Sequence, residues 1–283
     1  MSTRNVLALL MVGFASAGVA REKKIISCAW EWRQTGPGEI AELQPQIAAA
    51  GYDGIAFAFR YPHGEDFHSS YGIGSQEWNW DEMQGELAKF KSALGKPGLT
   101  DSFLLSFRCP SRRLDWTDDA GWARIARNMR LAARFARESG AVGLVIDHED
   151  YPKQRQFERL ATDLPIRELA ALVRRRGREV FAAVFEEYPN AKLLFFWFMT
   201  EHARYLNGVE SPLRALADSG KLWAFFANGI LDVLPPEAGI IDGNEHSYQY
   251  ESARYDYLQQ AAALRDMDGF CVPSNREKYR RQV

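Results

Sequence analysis

Short runs of apolar, β-branched and aromatic residues alternate with longer amphipathic stretches from residue 25 onward, and this rhythm restricts the fold more than any other feature of the chain. The runs are Ile25–Trp32, Tyr52–Arg60, Asp101–Cys109, Val142–Tyr151, Ala191–Thr200, Leu222–Leu231 and Ala238–Tyr248. Between most of them lie Glu39–Ala50, Asp81–Leu94, Asp118–Ser139, Ile166–Tyr188 and Pro212–Ser219, which carry helical spacing. Gly51, Gly140 and Gly220 stand just past three of these stretches, where a helix C-cap wants positive φ. Regular strand–helix alternation predicts parallel strands joined by crossovers, and continuously apolar strands predict a sheet covered on both faces.

The expected class is therefore α/β, a (β/α)8 TIM-barrel-like domain with about seven strands readable. A helix over Tyr255–Arg265 follows the last of them, and the eighth strand is either the short Gly269–Val272 or missing from a truncated chain. A doubly wound open sheet is the alternative, but no Gly-rich phosphate turn follows the first strand. No repeat, low-complexity tract or linker divides the chain, so residues 21–283 read as one catalytic domain.

Residues 1–20 stand apart. Arg4 precedes the apolar run Val6 to Val19, small residues Gly18-Val19-Ala20 close it, and charged Arg21-Glu22-Lys23-Lys24 follows. This pattern predicts a secretory signal peptide and a secreted or periplasmic mature protein. The competing reading is an N-terminal membrane anchor, for which the run is short and wrongly flanked. Ile26-Ser27-Cys28 has the look of a lipoprotein box, but the charged run separates it from the apolar segment. After cleavage no membrane association is expected.

A formal net charge of -2 removes any electrostatic case for a nucleic-acid partner, and Arg174-Arg175-Arg176-Gly177-Arg178 reads as a solvated helix face. Cys28, Cys109 and Cys271 are too widely spaced for a zinc motif, cannot all pair, and read as buried thiols. No metal or other cofactor is implied. Eight Trp leave spare indoles, which suit both packing and stacking on the apolar faces of sugar rings.

Strand periodicity then selects candidate residues. Alternate residues share a face. Ser27 and Ala29 are in phase with Glu31, Ala56 and Ala58 with Arg60, and Ser106 with Arg108. Gly143 and Val145 are in phase with Asp147 and Glu149, and Gly239 and Gly243 with Glu245. Small residues suit a narrow barrel interior, so this register turns the charged residues toward the C-terminal mouth, where barrel enzymes keep their active sites. Asp147-His148-Glu149 is the strongest element: on an extended strand its carboxylates would stand about 6–7 Å apart. Like charges at that range raise one pKa and equip one group as a general acid. The alternative is a salt-bridged or capping pair. A second cluster, Asp242-Gly243-Asn244-Glu245-His246-Ser247-Tyr248, crowds two acids, a His and a Tyr at another strand end.

The remaining candidates surround these. Arg60 and Arg108 orient a carboxylate or hold an acidic substrate, unless they merely pair with Glu31 or Asp147. Trp30, Trp32, Trp197 and Tyr151 are candidate sugar platforms, with core packing the other role open to each. Asn228, His246 and Tyr248 join the substrate-contacting set. His63 and His68 lie in a loop after the second run, either at the rim or simply solvated.

Carboxylates on two strands are the minimum equipment of a glycoside hydrolase. The order of these acids resembles that of retaining barrel glycosidases, in which strand four supplies the acid/base and strand seven the nucleophile. The resemblance implies Glu149 and Glu245 for those roles, with Asp242 in reserve. His148 stands where those families have Asn. Asp147-x-Glu149 is also similar to the end of the chitinase-type strand-four motif, although Gly143 and Val145 occupy its earlier acidic positions. Together with Asn275-Arg-x-Lys-Tyr279, these segments resemble uncharacterised bacterial proteins assigned to glycoside hydrolases. The implied partner is an oligo- or polysaccharide. Two other functions compete. One is a metal-dependent sugar isomerase or hydrolase using Asp147, His148, Glu149, Asp242, Glu245 and His246. The other is a carbohydrate-binding protein without catalysis.

Overall fold

The computed structural model describes residues 23–28, 30–61, 72–74, 76–108, 112–150, 155–205, 211–243 and 266–283, with backbone alone at 30–31 and 203–205. Six strands lie among these residues: β1 (Ile26–Ser27), β2 (Gly54–Phe57), β3 (Phe103–Arg108), β4 (Gly143–Asp147), β5 (Lys192–Phe195) and β6 (Gly239–Asp242). All pair in parallel, each with its sequence neighbour, so among the described residues the sheet is a half-barrel that runs from β1 to β6. The described helices are α1 (Pro37–Ala49), α2 (Trp80–Ala93), α3 (Asp119–Ser139), α4 (Ile166–Glu187), α5 (Pro212–Asp218), α6 (Trp223–Val233) and α7 (Arg276–Gln282). The architecture is TIM-like at this coarse level, and the described residues form no eight-stranded closed barrel.

Helix ends follow local chemistry. Asn79 and Asp118 cap α2 and α3 by accepting from the amides of Asp81 and Gly121. Gly51, Gly140 and Gly220 have φ of 81°, 88° and 74° beyond α1, α3 and α5.

Two sequence expectations are corrected. Leu222–Leu231 is no strand but most of α6, and its residues are apolar all round because α6 is buried nearly throughout. Gly269 and Phe270 end a short 3₁₀ turn, Met267–Phe270, so Gly269–Val272 supplies no eighth strand. The helix expected over Tyr255–Arg265 lies outside the described residues. As a result the strand read seventh from the sequence is β6, next to β5 in the sheet.

The sheet's two faces bury different sets of side chains, as period-two alternation requires. Ile55, Phe57, Leu104, Phe107, Leu144, Ile146, Leu193, Phe195 and Ile240 pack outward with the helices in the main core. Ala56, Phe103, Leu105 and Val145 form a smaller inner cluster with Ile26, Leu194 and Phe196 against it. The pairing of β3 with β4 slips by one residue between Leu105 and Phe107. This bulge sends Phe107 outward and brings Arg108 opposite Asp147. The inner face of β3 therefore carries Phe103 and Leu105, not the Ser106 phase expected from sequence, yet Arg108 still reaches the expected position.

Packing outside the sheet places α6 under the end of β4. Gly177 on α4 and Gly229 on α6 let the two backbones meet, since a Cβ on either would run into the carbonyl of Phe226 or Arg174. Asn228 serves the same junction. Its Nδ2 donates to the Ala224 and Phe270 carbonyls at 2.7 and 2.9 Å, and its Oδ1 accepts from the Val272 amide at 2.8 Å. Asn275 adds bonds to the Asn228 carbonyl and to Asp232, and Lys278 reaches the Leu231 carbonyl at 2.7 Å. Asn228 is thus a buried anchor for the C-terminal segment, out of reach of a sugar. Replacing it with Ala would strand the Val272 amide and the Phe270 carbonyl, and is expected to cost about 1–3 kcal/mol in urea unfolding. A sugar-contacting Asn would show normal stability in that measurement.

Candidate functional site

β4 ends at Asp147, whose side chain is 1% exposed. One oxygen, Oδ1, accepts from the Glu149 amide at 3.1 Å, so the chain turns immediately after the strand. Glu149 is therefore placed by a turn that Asp147 itself closes, and not by strand alternation as the sequence predicted. Glu149 is half-buried. Oδ2 of Asp147 is buried with no hydrogen-bond partner among the described residues.

Burial pushes the Asp147 carboxyl above its ordinary value. The Glu149 amide opposes this, the Glu149 charge adds to it, and His148 and Arg108 pull it down, with the net shift upward. A carboxyl raised on folding contributes its full stability below the ordinary carboxyl range, and loses it as pH rises through the raised value. Asp147→Asn keeps the Oδ1 acceptor and removes the buried charge. It is expected to raise the melting temperature at pH 7 by about 2–4 °C, for a gain of about 1 kcal/mol. The advantage should vanish at acid pH below the ordinary carboxyl range; circular dichroism melts at the two pH values check both points.

His148 lies on the other side of the same strand end. Its ring stacks on Trp223 at 3.5 Å between centroids and 5° between planes, and its Nε2 is 2.8 Å from Oε2 of Glu201. The Trp223 indole N–H donates to the Phe198 carbonyl at 2.6 Å. Glu201 sits in a 3₁₀ helix, Thr200–Tyr205, that follows β5. Burial works against its ionisation, but the bond to His148 and the charges of His148, His202 and Lys221 prevail and hold its pKa at about 2. Beside this pair lies a cleft of about 60 Å³ lined in part by Phe157, His202 and Lys221. Asp150 closes the loop after β4 by accepting from the Gln156 and Phe157 amides, both at 2.7 Å. Sequence reasoning does not reach Glu201, although an acid and a histidine, Glu201-His202, follow an apolar run directly.

Asp242 requires the largest correction. It ends β6 opposite Phe195, on the helix-facing side. Its carboxylate accepts from the amides of Phe198, Met199 and Thr200 at 3.0, 2.9 and 3.1 Å, and from the Thr200 hydroxyl at 2.5 Å. It caps the 3₁₀ helix that carries Glu201, with both carboxylate oxygens engaged. Gly243 follows where the chain crosses the Phe195 carbonyl, to which its amide donates at 2.7 Å.

Other candidates are scattered. Arg108 joins Asp147 on the inner face, whereas Arg60 is exposed and donates to the Gln34 carbonyl at 2.8 Å. Trp32 bonds Ser27 through its indole N–H at 2.9 Å and packs against the main core, so it offers no free platform. Trp197 is buried and edge-on to His148, which also removes it as a stacking surface. Trp30 and Glu31 fall in a 3₁₀ turn, Trp30–Arg33, so the strand phase that aimed Glu31 inward does not extend to it. Glu245, His246, Tyr248, Tyr151, His63 and His68 lie outside the described residues.

A cavity of about 660 Å³ opens at the opposite end of the strands, lined by Phe103, Lys192, Leu194, Gly239 and the end of α7 among others. Neither Asp147 nor Glu149 lines it. Among the described residues no three His, Cys, Asp or Glu side chains are placed to hold a metal ion, and no helix is long and apolar enough to cross a membrane. Comparison with known proteins finds no matching family model, no matching curated protein and no matching solved structure.

Proposed function

We propose that the chain is an exported glycoside hydrolase of TIM-barrel type, in which Glu149 is the general acid/base and Glu245 the nucleophile or base. The observation that carries this reading is Asp147. It is a buried carboxyl with a raised pKa, tied to the Glu149 amide at the C-terminal end of a parallel strand. Glu149 is the more exposed of the two and meets the substrate. Asp147 holds a proton to higher pH and tunes its neighbour. Glu245 comes three residues after Asp242 in the chain and supplies the second carboxylate. In the retaining form of this reaction, Glu149 protonates the glycosidic oxygen as the C–O bond breaks and Glu245 takes the sugar. Water then attacks that ester and gives its proton to Glu149. Arg108, opposite Asp147, offers hydrogen-bond donors to substrate hydroxyl or carboxylate groups.

The test is release of reducing ends from a panel of polysaccharides, with and without EDTA. Release that EDTA leaves unchanged supports the proposal. Activity lost in EDTA and restored by a divalent ion would replace it with the metal-dependent sugar enzyme. Binding without turnover, unaltered in Glu149→Gln, would replace it with a carbohydrate-binding role.

A further inference from the structure

His148 stands between the two carboxylates in sequence but lies on the other face of the strand end from Asp147, where its ring is held on a face and an edge. One face lies flat on Trp223, whose own N–H is bonded to Phe198, and the ring edge meets Glu201. The His148 side chain is 3% exposed. Glu201 is itself fixed from a third strand, because the Asp242 cap holds the start of its 3₁₀ helix through four donors. The ends of β4, β5 and β6 are thus joined through side chains, from Asp242 through the Thr200–Tyr205 turn and Glu201 to His148. Asp147 and Glu149 flank His148 along the backbone, so a backbone shift at His148, which an imidazole held between Trp223 and Glu201 resists, would re-aim both carboxyls.

We infer that Glu201 is a positioning residue, clamping His148 against Trp223 so that the strand end presents Asp147 and Glu149 in one fixed direction. Its role in turnover rests on the reading of Glu149 as the substrate-contacting carboxyl; the clamping of the strand end does not. Misplacing a reacting group by about 1 Å from a distance costs on the order of 100-fold in rate. The same loosening admits water to Asp147, where burial governs the titration in a field set by His148, Glu149 and Arg108.

The experiment pairs kinetics with carboxyl ¹³C NMR of aspartate-labelled protein, with the Asp147 signal assigned by its loss in Asp147→Asn. Glu201→Ala is expected to lower kcat by about 10- to 100-fold with KM held within about twofold. The Asp147 titration should move toward the ordinary carboxyl range. Glu158→Ala, a carboxylate lost from the same cleft without contact to His148, should change neither. Glu201→Asp keeps the charge and the preference for a helix start but draws the oxygen back beyond reach of His148. It should behave as the Ala variant does, and it decides the matter should Glu201→Ala fail to fold. A folded Glu201→Asp or Glu201→Ala protein with wild-type kcat and an unmoved Asp147 titration would overturn the inference. Should wild-type protein cleave nothing in the polysaccharide panel, the hydrolase reading falls, and the Asp147 titration alone confirms or overturns the clamp.

Discussion

Glu149→Gln is expected to lower kcat/KM by about 10²–10⁴-fold, the usual share of a positioned general acid, while leaving the melting temperature near that of wild type. The stability expectation follows from placement. Glu149 is half-buried beyond the end of β4, and its bond to Asp147 is made by its backbone amide, which the substitution keeps. Asp147→Asn should behave differently, losing activity while gaining stability at neutral pH, because its charge is buried. Kinetics and thermal melts of the two variants, measured together, separate a residue that performs chemistry from one that is stored at a cost to the fold. Equal melting temperatures and equal rates in both would mean that the pair is a capping motif with no chemical role.

Trp223→Ala is expected to have the largest effect on stability. The indole is 1% exposed, stacks on His148, meets Phe157 edge-on at 4.8 Å and lies 5.6 Å from Phe226. Truncating a buried aromatic to Ala costs about 3–5 kcal/mol, and here the Phe198 carbonyl also loses its donor. Against a total of about 5–15 kcal/mol for a typical domain, that is a large fraction. At about 2–4 °C per kcal/mol, the melting temperature should fall by roughly 10 °C. Circular dichroism at 222 nm measures this, and a shift within a degree or two of wild type would show that the stack carries no weight.

The parallel strands were legible because their apolar residues alternate with helical stretches, and the positive-φ glycines beyond α1, α3 and α5 mark helix ends by a local steric rule. The misreadings have equally local causes. Leu222–Leu231 is apolar on every side because α6 packs against α4 and the C-terminal segment, and a short buried helix has no polar face to betray its period. Arg108 reached the inner face for a reason that alternation does not contain, since a bulge shifted the phase of β3. Asp242 looked catalytic beside Gly243 and Glu245, but its donors lie 42–44 residues earlier in the chain, and no nearby residue announces them. Glu201 was overlooked for the converse reason. Its meaning depends on His148, 53 residues away, and on an indole from a helix that had been read as a strand. Charge patterns at strand ends singled out Asp147 and Asp242; that Asp242 caps the turn after β5 depends on partners distant in sequence.

The claim that Glu149 delivers a proton to a leaving group is tested most directly by leaving-group dependence. Wild-type protein and Glu149→Gln would be compared on the natural glycan and on a 2,4-dinitrophenyl glycoside of the same sugar, whose phenolate departs without protonation. The account predicts that the variant loses about 10²–10⁴-fold on the glycan and keeps bond cleavage on the activated substrate close to the wild-type rate. A variant equally impaired on both substrates, or equally active on both, would contradict it.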